Sequence, residues 1–230
     1  HHPVLLFRAD CLPEADSVGA YGLKIFGPLG KLILTVYASD VILVLLMYIP
    51  MVALLAKFPV KKWLQGIWKV WVVTASTTSS SGSLPITTSV TNDEFGVSSE
   101  LSSFSLPLGA TINMNGGCIY YAAAIVMTAQ IYGMNLTPSA LVNIIISTVL
   151  VAMGCPGVPG GAIIMTTILL TNMGLPLEIV GLIAGIFRLI DMANTTFNVT
   201  GDVVTTMVVA RSEGMMHTLG TGAETETKAA

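Results

Sequence analysis

The chain reads as an all-α membrane protein, built of transmembrane helices with two re-entrant helical hairpins. Three observations predict this class. Of 230 residues, 53% are hydrophobic and 10% charged, whereas soluble domains carry about 25% charged residues. Two apolar regions are interrupted by small, polar, Gly/Pro-containing tips, Thr74 to Pro85 and Gly154 to Gly161. The last apolar stretch carries its polar residues at spacings of three and four, which places them on one helical face. The net charge of −3 says little about partners. The absence of a basic stripe argues against nucleic acid. Cys11, Cys118 and Cys155 form neither a disulfide framework nor a metal-ligand pattern, and Cys118 and Cys155 read as small buried hydrophobes.

Residues 1–30 read as the end of a preceding span or loop. The start His1-His2-Pro3, without an initiator Met or a signal peptide, reads as a fragment or a misassigned start. Residues 31–57 exceed the roughly 20 apolar residues that cross a bilayer and form a transmembrane helix, interrupted by Asp40 and Pro50. An Asp at membrane depth either lies near the interface or faces protein and water. Lys61, Lys62 and Lys69 mark the cytoplasmic side, with Trp63 as an interfacial anchor.

Residues 58–212 form the core. A first re-entrant hairpin covers 63–91, a short helix ending in a hydroxyl-rich tip because exposed polar backbone in lipid must be satisfied by protein or water. Residues 103–132 form a span broken at its centre, where Gly109 to Gly117 combines three glycines with Asn113 and Asn115. Helix propensity is poor there, and freed carbonyls with Asn oxygens are hard ligands for a small cation. A second re-entrant hairpin covers 139–173, since each arm about its Gly/Pro tip is too short to span. It also leaves Arg211 on the side of Lys61 and Lys62. The span 177–210 carries Arg188, Asp191, Asn194, Thr195, Asn198 and Asp202. Ionisable groups in a membrane helix mark a site or pathway by default. Residues 213–230 read as a disordered cytoplasmic tail.

Two broken segments before two spans are the signature of an inverted-repeat secondary transporter with its site near the midplane. Asp191 offers charge-assisted bonds to an ammonium group. A serine hydrolase is disfavoured, because a serine nucleophile needs a base and His1, His2 and His217 lie outside the spans. The chain reads as a non-enzyme. An ion channel is the closer rival, since polar hairpins also build pores.

Four motifs then resemble one family. Ser79-Ser80-Ser81-Gly82-Ser83-Leu84-Pro85, Leu106 to Gly116, Gly157-Val158-Pro159-Gly160, and Asp191-Met192 with Asn198-Val199-Thr200-Gly201-Asp202 are similar to the dicarboxylate/amino acid:cation symporter family. This is the family of the excitatory and neutral amino acid transporters and their prokaryotic relatives. The resemblance runs from about Val18 to Gly214 and covers the C-terminal transport core, without most of the trimerising scaffold. It implies a multi-pass cell-membrane symporter working as an elevator within a homotrimer in the lipid bilayer. Such a protein carries an amino acid with a cation, sodium or alternatively a proton, and has no organic cofactor.

By position, Ser79, Ser80 and Ser81 resemble the carboxylate-binding tip, and Val158 and Ala162 the second hairpin's contacts. Asp191 matches the acid that holds the α-amino group, and Thr195 and Asn198 match further substrate ligands. Gly109, Asn113, Asn198 and Asp202 match one cation site. Thr111 with the carbonyls of Ala152, Met153 and Cys155 matches a second. Asn115 falls where the family uses an Asp in a third, so a lower cation:substrate ratio is expected.

Asn194 stands where acidic-substrate members carry an Arg, and Thr78 where several prokaryotic members do. Asn supplies no bidentate cation, so the expected substrate is a neutral or small polar amino acid. Arg188 either restores positive charge or pairs with Asp191. The alternatives are an acidic amino acid or C4-dicarboxylate symporter, or a truncated fragment that does not transport alone.

Overall fold

The computed structural model describes residues 26–217. The readings made above for residues 1–25 and 218–230 lie outside the described residues. Helix α1, Phe26–Leu43, continues through π-helical turns at Val44–Tyr48 and Met51–Leu55. There follow α2 (Val60–Thr77), α3 (Leu84–Ser89, continued by a π turn at Val90–Glu94), α4 (Ser99–Ile112) and α5 (Asn115–Ile131). The remaining helices are α6 (Pro138–Ala152), α7 (Gly161–Asn172) and α8 (Glu178–Ser212). Gly27–Leu55 and Glu178–Ser212 are long and apolar enough to cross a membrane, with mean hydropathy 2.3 and 1.4.

The helix ends follow from local chemistry. Ser98 accepts from the Leu101 amide at the start of α4, and Thr137 does the same for Ala140 at the start of α6, where Pro138 takes the first helical position. Thr77 and Ser76 at the end of α2 turn their hydroxyls back onto the Val73 carbonyl, a local bond that competes with helix continuation. The break predicted inside 103–132 falls at Asn113–Met114, where Asn113 is extended and Met114 is non-helical between α4 and α5.

Helix α8 is the hub. It packs against α5, α2, α4, α1 and α7, and from Ile190 to Val204 nearly every residue is buried. Its polar residues therefore serve several neighbours rather than one face. Thr196 bonds Thr74 and Thr200 accepts from the Trp71 indole, both on α2. Two apolar clusters flank this seam. One gathers α5, α7 and the first turns of α1 around Tyr120, Leu169 and Phe187. The other gathers Tyr48, Trp63, Phe95 and Met207.

Three sequence expectations change. Trp63 is fully buried in the second cluster rather than interfacial, because α2 packs it inward together with Gly66, Ile67 and Val70. Helix α2 is also longer than the short arm expected, at 18 residues. The tail is not free from residue 213 onward. The Ser98 amide donates to the Met215 carbonyl and the His217 amide to the Gly96 carbonyl, so residues 215–217 close over the α3–α4 connection. Lys57, Lys62 and Arg211 line one cleft with His217, which puts the basic ends of α1, α2 and α8 at the same end of the bundle.

Candidate functional site

Both hairpin tips meet beside the middle of α8. Thr78 ends α2 in a left-handed conformation, φ 49°, and the chain turns through Ser79–Ser83. The Ser79 hydroxyl donates to the Gly157 carbonyl at 3.0 Å and the Ser81 amide donates to it at 3.3 Å. One carbonyl of the second tip thus receives two donors from the first. Gly157 is required by this approach: a Cβ there would stand 2.6 Å from the Ala110 carbonyl oxygen of α4, far inside van der Waals contact.

Across from the tips, α8 presents Asp191, Asn194, Thr195 and Asn198. The Asp191 carboxylate accepts from the Gly160 amide at 3.2 Å. Asn198 Oδ1 accepts from the Gly116 amide at 2.8 Å and the Gly117 amide at 3.5 Å. It thereby satisfies two of the donors that the start of α5 would otherwise leave unpaired. Asn194 is 2% exposed, and neither its Nδ2 nor its Oδ1 has a partner. An unpaired buried amide costs free energy until something meets it, so Asn194 is ready to receive a polar group.

These residues and both tips enclose a cavity. Ser80, Val158, Ala162, Asp191, Asn194, Thr195 and Asn198, all singled out from sequence, line it together. Cys155, matched to a cation site, lines it as well. Its free space is about 20 Å³, enough for about one water and far too small for an amino acid. The bonds at Gly157 and Gly160 hold the two tips and α8 together around the cavity. Among the described lining residues Asp191 alone carries a formal charge, and none is Lys, Arg or His.

A second constellation lies further along α8. Asp202 Oδ1 accepts from Asn113 Nδ2 at 2.7 Å, and the same Nδ2 reaches the Asn198 carbonyl at 3.3 Å. Gly109 leaves room for the carboxylate: a Cβ would stand 2.5 Å from Asp202 Oδ1. The structure therefore brings together Gly109, Asn113, Asn198 and Asp202. The oxygens gathered here are the Asp202 carboxylate and the Asn198 backbone carbonyl, bridged by Asn113 through its Nδ2, and carboxylate and carbonyl oxygens are hard ligands suited to a singly charged cation. The Gly109 cradle, which a side chain would fill, fits that group. Gly109→Ala is expected to weaken sodium binding at least about tenfold, since overpacking costs ~1–3 kcal/mol. Sodium titration of the melting temperature measures it.

Other predicted residues sit elsewhere. Ser79 and Ser81 hold the two tips together, whereas Ser80 lines the cavity. Thr111 spends its hydroxyl on its own helix, at the Pro107 and Leu108 carbonyls. Of the carbonyl donors matched with it, Ala152 is buried and Met153 exposed. Asn115 donates to the Tyr48 hydroxyl at 2.9 Å, and Tyr48 donates to the Phe197 carbonyl at 3.0 Å. Arg188 does not pair with Asp191: it donates to the Thr78 hydroxyl at 2.5 Å and the Ser76 carbonyl at 2.7 Å, clamping the end of α2. Thr78, Met114, Gly117, Tyr121, Pro156 and Gly157 also line the cavity. Their place in the Ser-rich, Asn-rich and Gly/Pro motifs was the signal for all of them but Tyr121, which lies past the Asn-rich stretch. Tyr48, on α1, carried no motif.

The sodium:dicarboxylate symporter family matches over residues 14–212. The chain is 36% identical over 141 residues to an excitatory amino acid transporter of Caenorhabditis elegans, covering 61% of this chain and 28% of that protein. It is 31% identical over 199 residues to a proton/glutamate-aspartate symporter of Bacillus subtilis (strain 168), covering 86% and 48%. It is 30% identical over 199 residues to a proton/sodium-glutamate symport protein of Geobacillus stearothermophilus, covering 86% and 47%. The aligned chain thus spans from 28% to 48% of the length of these curated relatives.

Proposed function

From the premise that this chain belongs to the sodium:dicarboxylate symporter family, whose members are transporters, we propose that it is the binding core of a secondary active symporter. In this reading it takes up a neutral or small polar amino acid with a cation, sodium before proton. The carrying observation is the cavity's charge: Asp191 without any cationic lining residue. Asp191 takes the α-ammonium in charge-assisted bonds. Ser80 and the tip amides take the α-carboxylate. The unpartnered amide of Asn194 takes a hydroxyl or amide on the substrate side chain.

Asp202 holds the cation against α4, with Asn113 and Asn198 beside it. Because Asn198 also caps α5 and lines the cavity, it links the two sites physically. The second hairpin serves as the gate, since its tip gives one carbonyl to the first tip and one amide to Asp191. The re-entrant placement of both hairpins, the multi-pass topology, the elevator movement and the homotrimer come with the family resemblance and belong to this proposal.

A second reading is uptake of an acidic amino acid. Two of the relatives above are named for glutamate, one of them for aspartate as well. Arg188, bonded to the cavity-lining Thr78, is the one guanidinium among the described residues near the tip that could turn toward a side-chain carboxylate. Competition of labelled serine uptake decides between them. The proposal expects serine, alanine and asparagine to compete at least about tenfold better than aspartate, one tenfold step being 1.4 kcal/mol. Preferential competition by aspartate overturns it in favour of the second reading.

A further inference from the structure

Asp40 lies outside the site described so far. It is 0% exposed, and neither carboxylate oxygen has a hydrogen-bond partner. It shares one stripe of α1 with Val36, Val44 and Tyr48, each four residues from the next and each buried, so the carboxylate points into protein and not toward lipid. Helix α1 packs there against α5 and α8. Tyr37, one turn before, is docked to α8 by its bond to the Leu189 carbonyl, and Tyr48 by its bond to the Phe197 carbonyl. Both phenols are thus committed elsewhere. Four residues beyond Asp40 the helix widens into the π turn Val44–Tyr48, a geometry that is frequent at functional sites.

An isolated carboxylate in such a place is costly unless a positive charge meets it. No protein group among the described residues does so. Among the described residues the ion pair present is Lys69–Glu94, at the far end of the first hairpin. The titratable groups on the helices packed against α1 are Cys118, Tyr120 and Tyr121 on α5, and Arg188, Asp191 and Asp202 on α8, whose first and last turns also carry Glu178 and Arg211. Arg188 is held by Thr78 and Ser76, Asp191 by Gly160, and Asp202 by Asn113. None is bonded to Asp40.

We propose that Asp40 is a separate binding site for a monovalent cation, H⁺ or Na⁺, buried between α1, α5 and α8. It lies two helical turns, ~12 Å of rise, from Tyr48, whose hydroxyl accepts from Asn115 of the broken span. The proposal rests on no substrate assignment.

Melting temperatures of the full chain in nanodiscs, without amino acid, test it. The Asp202→Asn variant serves as background, so that the Asp202 site cannot produce the response. In that background either raising sodium at fixed pH or lowering pH without sodium is expected to raise the melting temperature. A hundredfold excess of ligand over its dissociation constant gives about 5 °C or more. Adding Asp40→Asn, or Asp40→Leu as a second, apolar replacement for that stripe, is expected to abolish whichever response is seen. A sodium response assigns Na⁺, and a pH response H⁺. A background chain with no response, or a response unchanged by both Asp40 substitutions, overturns the site. Loss of the sodium response in Asp202→Asn with an Asp40-dependent pH response kept bears on the proposed function and assigns H⁺ to the Asp40 site.

Discussion

Asp191→Asn is expected to lower amino acid affinity about a hundredfold or more while leaving the fold intact. Removing one partner of a buried charge pair typically costs ~2–5 kcal/mol, and Asp191 is the one formal charge on the cavity wall. The Asn isostere can still accept from the Gly160 amide, which Asp191 does in the closed cavity, so the closed state is spared and the ammonium-bound state is not. Isothermal titration or ligand-induced melting shifts measure the loss. Equal binding by the variant would mean that the α-ammonium is held elsewhere, and would remove the basis for an amino acid substrate.

Asn194→Arg is expected to produce the largest change of specificity. The side chain sits 2% exposed with both amide atoms unpaired, beside Asp191 and Asn198 on the same cavity wall. A guanidinium there offers a planar, bidentate fork to a carboxylate. Aspartate affinity is expected to rise about a hundredfold and serine affinity to fall, a discrimination of the size that polar pocket contacts deliver. Asn194→Asp is the control and should not gain aspartate. If the parent chain already prefers aspartate, Arg188 becomes the residue to replace, and Arg188→Gln should then abolish that preference.

Much of this arrangement was legible in the sequence. The two tips, the broken span and Asp191 to Asp202 are local motifs. Each departs from helix propensity in an apolar context, and a departure of that kind is visible without a fold. What brings them together is α8, and its burial on all sides was not legible, because a polar residue serving α2 looks the same in sequence as one serving the cavity. Thr196 and Thr200 show this: they bond Thr74 and Trp71, not a ligand. Tyr48 was invisible because α1 carries no motif. Trp63 was misplaced because a Trp beside lysines satisfies the interfacial rule whether or not a neighbouring helix covers it. Arg188 was open between restoring positive charge and pairing with Asp191, and it bonds Thr78 and Ser76 instead, since its reach to the end of α2 depends on how α8 crosses it.

The central claim is that Asp191 and Asp202, on one helix and joined through Asn198, couple amino acid binding to cation binding. Coupling is reciprocal: each ligand must raise the affinity for the other by the same factor. The direct test is the chain's serine affinity with and without saturating sodium, and its sodium affinity with and without saturating serine. Both are expected to rise by the same factor of about ten or more, the lower part of the typical coupling range of ~1–3 kcal/mol, and Asp202→Asn is expected to remove the effect. Serine and sodium binding that are each measurable yet independent would contradict the account.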